Sequence, residues 1–227
     1  MQTRTIYASQ LQDMLAGAQV LENDGRGVKV AKLTNGDFLK LFRIRNRWSL
    51  ARLYPYSRRF CGNAERLLQL GYSTIHVQER LQLIGSDVSA VVYTPLPGRT
   101  LRQLIEAQGM LAASLCAELG AFIARLHGDG VLFRSLHLGN VLQLPNGQFG
   151  LIDIADLRLY RRRLSRGKRW RNWRHLMRYA SDIAGVAVDE LLEGYRLACG
   201  LSERDWRWLE ARCRPALVAL QGQGGRG

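Results

Sequence analysis

The segment Phe133-Arg134-Ser135-Leu136-His137-Leu138-Gly139-Asn140 places an arginine, a serine, a histidine and an asparagine within eight residues. A second segment, Leu151-Ile152-Asp153, ends thirteen residues after Asn140. Between them lies Pro145-Asn146-Gly147, and Asn-Gly between apolar runs is the strongest short signal for a β-hairpin. The sequence therefore predicts a hairpin that brings Asn140 and Asp153 to one point.

The spacing of these residues matches the catalytic loop of protein kinases, H-R-D-x-x-x-x-N, which is followed by a hairpin and a metal-binding Asp. Arg134, Asn140 and Asp153 fall in register with that pattern. Asparagine and aspartate supply oxygen ligands, which Mg²⁺ prefers. We therefore expect Asn140 and Asp153 to hold Mg²⁺, the ion that bridges the phosphates of ATP during phosphoryl transfer.

Two positions depart from the kinase pattern. Phe133 replaces its histidine, and Ser135 replaces its catalytic aspartate. A serine does not accept a proton at neutral pH as a carboxylate does. His137 and Asp156 are the other candidate bases, although a packing role within the loop suits His137 better. Because the loose transition state of phosphoryl transfer needs only modest help from a base, the change weakens the prediction of an enzyme without excluding it.

The first half of the chain supplies a candidate phosphate ligand. Lys40 lies in a predicted strand over residues 37–43, directly after a hairpin signal at Asn35-Gly36. In that position a lysine can hold the α- and β-phosphates as a point charge. Glu65 lies on the helix predicted at 56–71 and is its expected ion-pair partner.

Three further residues are candidates for nucleotide binding. Gly25 and Gly27 could form a turn that covers the phosphates, but two glycines are a weak signal. Tyr93 begins the segment 93–97, whose backbone we expect to meet the adenine.

A β-rich half followed by an α-rich half predicts an α+β, two-lobed fold. The break at Pro95-Leu96-Pro97-Gly98 predicts an N-lobe at 1–95, a C-lobe at 96–220 and a disordered tail at 221–227. The predicted strands are at 19–21, 28–33, 37–43, 75–84 and 88–94. The predicted helices are at 8–17, 56–71, 111–128, 180–197 and 203–219, with one more beginning after Thr100.

Charge is the most unusual property of the composition. The chain has 33 Lys and Arg against 19 Asp and Glu, which gives a net charge of +14, and residues 158–174 contain nine Lys and Arg and no acid. This segment indicates an anionic partner, although a solvated, disordered basic loop would have the same composition. No apolar run is long enough to span a membrane, and residues 1–15 lack a secretion signal, so we expect a cytoplasmic protein. The four cysteines form no CxxC pair and indicate reduced thiols.

These segments together resemble the lipopolysaccharide core kinases, a bacterial family with a protein-kinase-like fold that includes Kdo and heptose kinases. The resemblance covers about residues 18–180 and is carried by FLKLFR (38–43), NAERLLQLG (63–71), YTPLPGRTL (93–101), GVLFRSLHLGNVL (130–142), LIDIADLR (151–158) and RGKRWRNWRHLMRY (166–179).

The resemblance implies ATP and Mg²⁺ as cofactors and a sugar hydroxyl of a lipid-linked core oligosaccharide as the acceptor. It also implies a peripheral location at the cytoplasmic face of the inner membrane of a Gram-negative bacterium. We then expect basic side chains to contact glycolipid phosphates or the anionic leaflet. They are Arg161, Arg162, Arg163, Arg169 and Arg171.

Two other functions fit parts of the sequence. A pseudokinase that binds nucleotide or acts as a scaffold in envelope biogenesis is supported by Ser135. A nucleic-acid binder is less favoured, but Trp170 and Trp173 alternate with arginines and could stack on bases. Nothing in the sequence sets an oligomeric state.

Overall fold

Strand-forming residues dominate the first half of the chain and helix-forming residues the second. In the computed structural model, which describes residues 3–43 and 55–224, these halves are two units, Met1–Leu96 and Pro97–Gly227. The first unit is built around a sheet and the second is mainly helical. The α+β class predicted from the sequence is therefore confirmed.

The first unit contains one six-stranded sheet with the order β1-β6-β7-β4-β3-β2. Neighbouring strands are antiparallel except β1 and β6, which run parallel. The strands are β1 (Thr3–Ile6), β2 (Gln19–Asp24), β3 (Gly27–Lys32), β4 (Phe38–Arg43), β6 (His76–Leu83) and β7 (Val88–Thr94), with a short β5 (Ser73–Thr74) outside this sheet. The helices are α1 (Ala8–Leu15) and α2 (Tyr56–Gln69).

Alternation along β4 gives the sheet two apolar faces, because successive side chains of a strand point to opposite sides. Leu39 and Leu41 lie in one core cluster with Leu11 of α1. Phe42 faces the other way, where its ring centroid is 5.6 Å from that of Phe60 on α2. Each face of the sheet is thus covered by one helix.

The second unit has two small antiparallel sheets among six helices of the described chain. In one sheet β10 lies between β8 and β11, and in the other β9 pairs with β12. The strands are β8 (Arg99–Thr100), β9 (Val131–Phe133), β10 (Val141–Gln143), β11 (Phe149–Leu151) and β12 (Leu157–Leu159). The helices are α3 (Leu101–Gln108), α4 (Ala113–Gly128), α5 (Arg166–Leu176), α6 (Ala180–Ala184), α7 (Val188–Ala198) and α8 (Glu203–Gly224).

Close packing of α4 against α7 forms the centre of the second unit. A Cβ atom on Gly120 would lie 2.0 Å from the carbonyl oxygen of Leu191, and one on Gly194 would lie 1.9 Å from that of Ala117. These distances are well inside van der Waals contact, so both positions require glycine. The two backbones can approach this closely only because neither residue has a side chain.

The helix predicted at 180–197 is two helices in the structure, α6 and α7. The carbonyl oxygen of Gly185 accepts a hydrogen bond of 2.8 Å from the amide of Leu111, and a Cβ atom there would lie 2.6 Å from Ile105. The backbone at Gly185 is therefore held by a neighbouring segment and leaves the helical path. The sequence pattern shows the apolar spacing of both helices but not this contact.

The end of the chain also differs from the prediction. Helix α8 continues through Gly224, so the prediction of a disordered tail is wrong for residues 221–224. Gln221 is fixed by a hydrogen bond of 2.7 Å from its Nε2 atom to the carbonyl oxygen of Val186. Residues 225–227 lie outside the described residues.

The α4–α7 contact yields a test with a control on the same helix. We expect Gly120→Ala to lower the free energy of unfolding by about 3 kcal/mol, because the added methyl group forces the helices apart. Gly128→Ala meets nothing within 4 Å and should raise it by up to about 1 kcal/mol, because alanine favours a helix more than glycine does. Urea denaturation of both variants measures the difference, and equal effects would show that the contact is not tight.

Candidate functional site

The β10–β11 hairpin brings Asn140 and Asp153 to the same end of two paired strands. Val141 is paired with Leu151, and the amide of Ile152 donates a hydrogen bond of 3.1 Å to the carbonyl oxygen of Asn140. Asp153 follows directly. This is the arrangement expected from the Asn146-Gly147 turn.

The side chain of Asn140 is buried and held in one orientation. Its Nδ2 atom donates to the carbonyl oxygen of Ser135 at 2.9 Å and contacts Nε2 of His137 at 3.0 Å. Both contacts use the amide nitrogen, so the amide oxygen lies on the opposite side of the group. No residue in the described ranges donates a hydrogen bond to that oxygen. Asn140 can therefore offer it as a ligand.

Asp153 has a constrained backbone. Its φ and ψ angles are 51° and 47°, and among the described residues it is the only non-glycine residue with a positive φ. Aspartate tolerates this left-handed conformation better than most residues, but the conformation still costs free energy. Such strain is concentrated at functional sites, where neighbouring structure enforces it.

The donor atoms here fit Mg²⁺ better than a transition metal. Within residues 3–43 and 55–224, no group of three or more His, Cys, Asp or Glu side chains could hold a metal ion. Mg²⁺ does not need such a group, because it commonly binds one or two protein oxygens together with phosphate oxygens and water. One carboxylate and one amide oxygen suit an ion that arrives with a nucleotide.

His137 contacts Asn140 and has a lowered pKa. Burial lowers the pKa of its imidazole, and the charges of Arg102 and Arg178 lower it further, against the opposite effect of Asp182 and Asp153. The neutral ring accepts the Asn140 hydrogen bond at Nε2, so its proton is on Nδ1.

The first residue of the loop, Phe133, is held by a buried asparagine of α5. Asn172 accepts a hydrogen bond of 3.0 Å from the Phe133 amide and donates one of 2.7 Å to the Phe133 carbonyl oxygen. Its Oδ1 atom also lies 3.3 Å from Nε2 of His127, whose Nδ1 atom is 2.8 Å from the Tyr195 hydroxyl. Sequence reasoning missed Asn172 and Tyr195, because nothing in their spacing marks them.

Arg169 completes this network and corrects one prediction. The sequence assigned Arg169 to contact with substrate or membrane, but its side chain is completely buried. It donates to the Tyr195 hydroxyl at 3.0 Å and to the carbonyl oxygens of Leu164 and Cys199 at 3.0 and 3.1 Å. Cys199 caps the C-terminus of α7, where the helix dipole favours a cation.

A buried carboxylate holds the middle of the loop. Asp182 accepts two hydrogen bonds from Arg102, at 2.6 and 2.9 Å, and one of 3.1 Å from the amide of Leu138. The carboxylate is 1% exposed, whereas Arg102 is 34% exposed. The loop is thus fixed at Phe133 by Asn172 and at Leu138 by Asp182.

In the first unit the expected pairing of Lys40 with Glu65 is wrong. Lys40 is 7% exposed, and its Nζ atom lies 5.5 Å from the ring centroid of Phe60. Glu65 is exposed, and no ion pair joins it to Lys40 in the part of the chain that the structure describes. The buried face of α2 contains Phe60 and Leu67, and at 100° per residue Glu65 points away from it.

The other nucleotide-binding candidates lie on the sheet of the first unit. Gly25 and Gly27 lie in the exposed turn between β2 and β3, where Gly27 has a φ of 105° that favours glycine. The ring of Tyr93 is buried, with centroids 5.8 Å from Phe38 and 5.5 Å from Phe60. A role of these residues in binding adenine or phosphates stays a prediction.

Part of the basic segment is regular structure, the end of β12 and most of α5, and residues 160–165 form a loop between them. Arg161, Arg162, Arg163 and Arg171 are exposed, so they can meet an anionic surface. Trp173 is completely buried. The prediction that it stacks on nucleic-acid bases is therefore wrong.

Comparison with known proteins identifies no family for this chain. A scan against profiles of protein families finds no match, and a search of curated proteins finds no significant similarity. None of the helices within residues 3–43 and 55–224 is long and apolar enough to cross a membrane.

The buried histidine of the network makes a pH prediction. Burial, followed by the charge of Arg169, lowers the pKa of His127 from 6.5 to about 3. Below pH 6.5 the unfolded chain binds a proton that the folded protein does not, so stability falls as the pH falls towards 3. Between pH 7 and pH 5 we expect this residue to remove about 2 kcal/mol from the free energy of unfolding.

Urea denaturation at several pH values tests the prediction. In His127→Gln the slope of the free energy of unfolding against pH should be smaller than in the unmodified protein, by the amount that corresponds to about one proton. This difference does not depend on the absolute stability of the variant. Because His137 and His175 titrate in both proteins, the difference isolates His127. Identical slopes would contradict a neutral, buried His127.

The Asp182 anchor makes a second prediction. Asp182→Ala should cost about 3 kcal/mol of stability, because it leaves the Leu138 amide and Arg102 without their acceptor. Asp189→Ala is the control, because this aspartate is 82% exposed and its ion pair with Arg214 should contribute no more than about 0.5 kcal/mol. Thermal denaturation compares the two, and a loss for Asp189→Ala as large as that for Asp182→Ala would contradict the assignment.

Proposed function

We propose that this protein is an ATP- and Mg²⁺-dependent phosphotransferase that acts on a sugar hydroxyl of the lipopolysaccharide inner core. The observation that supports this most is the pair of oxygen ligands at the open end of the β10–β11 hairpin. The amide nitrogen of Asn140 is held by Ser135 and His137. Asn140 precedes β10, and Asp153 follows β11, the strand that pairs with β10.

Each residue then has a defined role. The Asn140 amide oxygen and the Asp153 carboxylate would hold the metal ion, and a bound Mg²⁺ would supply positive charge to the phosphates. Lys40 is the candidate phosphate ligand of the first unit. His137 keeps the Asn140 amide turned, because its neutral Nε2 atom accepts one of the amide hydrogens.

The acceptor hydroxyl must lose its proton without a carboxylate at position 135. Phosphoryl transfer proceeds through a loose transition state in which the attacking oxygen forms little bond, so the proton can leave late, to an oxygen of the transferred phosphoryl group. Ser135 contributes its backbone carbonyl, which accepts hydrogen bonds from Asn140 and from the amide of His137 at 3.0 Å. Its role is to shape the loop, and we expect slow turnover compared with an enzyme that has an aspartate here.

The exposed arginines of the basic segment suit a phosphorylated glycolipid at an anionic membrane surface. Arg161, Arg162 and Arg163 are consecutive and exposed, and each basic residue near such a surface contributes about 1 kcal/mol to binding. We therefore propose that the protein meets its acceptor at the cytoplasmic face of the inner membrane.

A pseudokinase is the second candidate, and Ser135 is the observation that favours it. Such a protein would use Asn140 and Asp153 to bind Mg²⁺ and nucleotide, and would act as a scaffold in envelope biogenesis without transferring phosphate.

The central test is transfer of radiolabelled γ-phosphate from ATP to extracted core glycolipid by the purified protein. We expect Asp153→Asn to reduce transfer by about 100-fold or more, because it removes the charged metal ligand while asparagine still tolerates the left-handed backbone. Asp87→Asn, in an exposed turn, should transfer as the unmodified protein does.

The outcomes separate the two candidates. Transfer that is unchanged in Asp153→Asn would overturn the proposed site. Stabilisation by Mg²⁺ and ATP without any transfer, together with transfer that appears in Ser135→Asp, would establish the pseudokinase. If Mg²⁺ and ATP do not stabilise the protein and no phosphate is transferred, both candidates are contradicted.

A further inference from the structure

One side of α5 presents basic residues without acidic partners. Arg171, Arg174, His175 and Arg178 follow a spacing of three, four and seven residues, which places them on one side of the helix and its last turn. The three arginines are exposed and His175 is half-buried. Arg178 stays in this row because its amide donates a hydrogen bond of 3.3 Å to the carbonyl oxygen of His175.

Arg134 of the loop joins these residues from a second element. Asn172 of α5 binds the backbone of Phe133 on both sides, which places the next residue, Arg134, beside this helix. Burial lowers the pKa of His175, and the charges of Arg134, Arg171, Arg178 and Arg174 lower it further. Nε of Arg134 and Nε2 of His175 are buried atoms without a hydrogen-bond partner in the described residues. We call these five residues the arginine cluster.

The arginines of the cluster lack the acidic partners that some other exposed arginines have. Arg166 is paired with Asp205 at 3.0 Å, and Arg214 with Glu210 at 3.0 Å. No arginine of the cluster forms an ion pair within residues 3–43 and 55–224. Four like charges held together without a counter-ion repel one another, and an anion would relieve that repulsion.

We propose that the arginine cluster binds an oxyanion group, phosphate or carboxylate, carried by the sugar acceptor. Guanidinium groups form paired hydrogen bonds with both kinds of oxyanion, and arginine suits this geometry better than lysine. The buried nitrogens of Arg134 and His175 lie among these groups with hydrogen-bonding capacity unused.

The position of the cluster gives it a role in choosing the acceptor, an inference that rests on the proposed function. Arg134 immediately precedes Ser135, the position that faces the reaction in the kinase pattern. An anion held by Arg134 and α5 fixes the acceptor beside that position. The acceptor is thus a sugar that already carries a negative group, and a neutral sugar is rejected.

Calorimetric titration with three soluble probes tests the site without any transfer reaction. The probes are glucose 6-phosphate, galacturonate and glucose, which carry a phosphate, a carboxylate and no charge. We expect one or both anionic sugars to bind at millimolar concentration and glucose not to bind. If binding of glucose 6-phosphate depends on the arginine cluster, the cluster is a phosphate site. If binding of galacturonate depends on it, the cluster is a carboxylate site.

Matched variants separate a built site from general attraction to a basic protein. Arg171→Gln, Arg174→Gln and Arg178→Gln combined should weaken binding by about tenfold or more. Arg204→Gln, Arg207→Gln and Arg212→Gln combined remove the same charge from exposed positions on α8 and should leave it within about twofold. Equal losses in both triple variants, or no binding of either anion, would overturn the proposal.

A third variant keeps this test independent of the proposed function. Asp153→Asn should bind the anionic probe as the unmodified protein does. Cluster-dependent binding without any phosphate transfer would support the anion site and contradict the proposed enzyme activity. Phosphate transfer without cluster-dependent binding would support the enzyme activity and contradict the anion site. Arg174 and His175 also offset the dipole at the C-terminus of α5. If that were their only role, the cluster variant would lose thermal stability and keep its affinity for the probe.

Discussion

Asn172 makes the interaction on which the second unit depends most. Its side chain binds both the amide and the carbonyl oxygen of Phe133, in the manner of a strand partner, and it is itself fixed by His127. Segments without regular secondary structure are usually mobile, and Asn172 fixes this one at its first residue. With the Asp182 contact to Leu138 it becomes a rigid support, and the orientation of Asn140 follows from it.

Local sequence patterns predict most of the fold. The hairpins at Asn35-Gly36 and Asn146-Gly147 and the Thr100 cap of α3 depend on neighbouring residues, and the structure has them. Strand β1 was missed, because four residues with one buried side chain carry almost no pattern. The break at Gly185 was missed since it depends on a contact with residues far away in the chain.

The candidate site divides in the same way. Asn140 and Asp153 could be paired from their spacing because a single hairpin connects them. Lys40 and Glu65 could not, since a correct prediction needs the rotation of α2 about its own axis. Arg169 was misassigned because an arginine in a basic run reads as exposed, and only the fold shows the hydroxyl and carbonyl oxygens that accept its hydrogen bonds.

The network behind Phe133 also has a direction. Arg169 donates to the Tyr195 oxygen, so the tyrosine hydrogen goes to Nδ1 of His127, and the proton on Nε2 of His127 points to Asn172. Asn172 in turn donates to the Phe133 carbonyl. Because a guanidinium group keeps its protons at every physiological pH, this order cannot reverse. Each member has one tautomer and one rotamer, so the loop is tied to a permanent charge and does not respond to changes of proton concentration near neutrality.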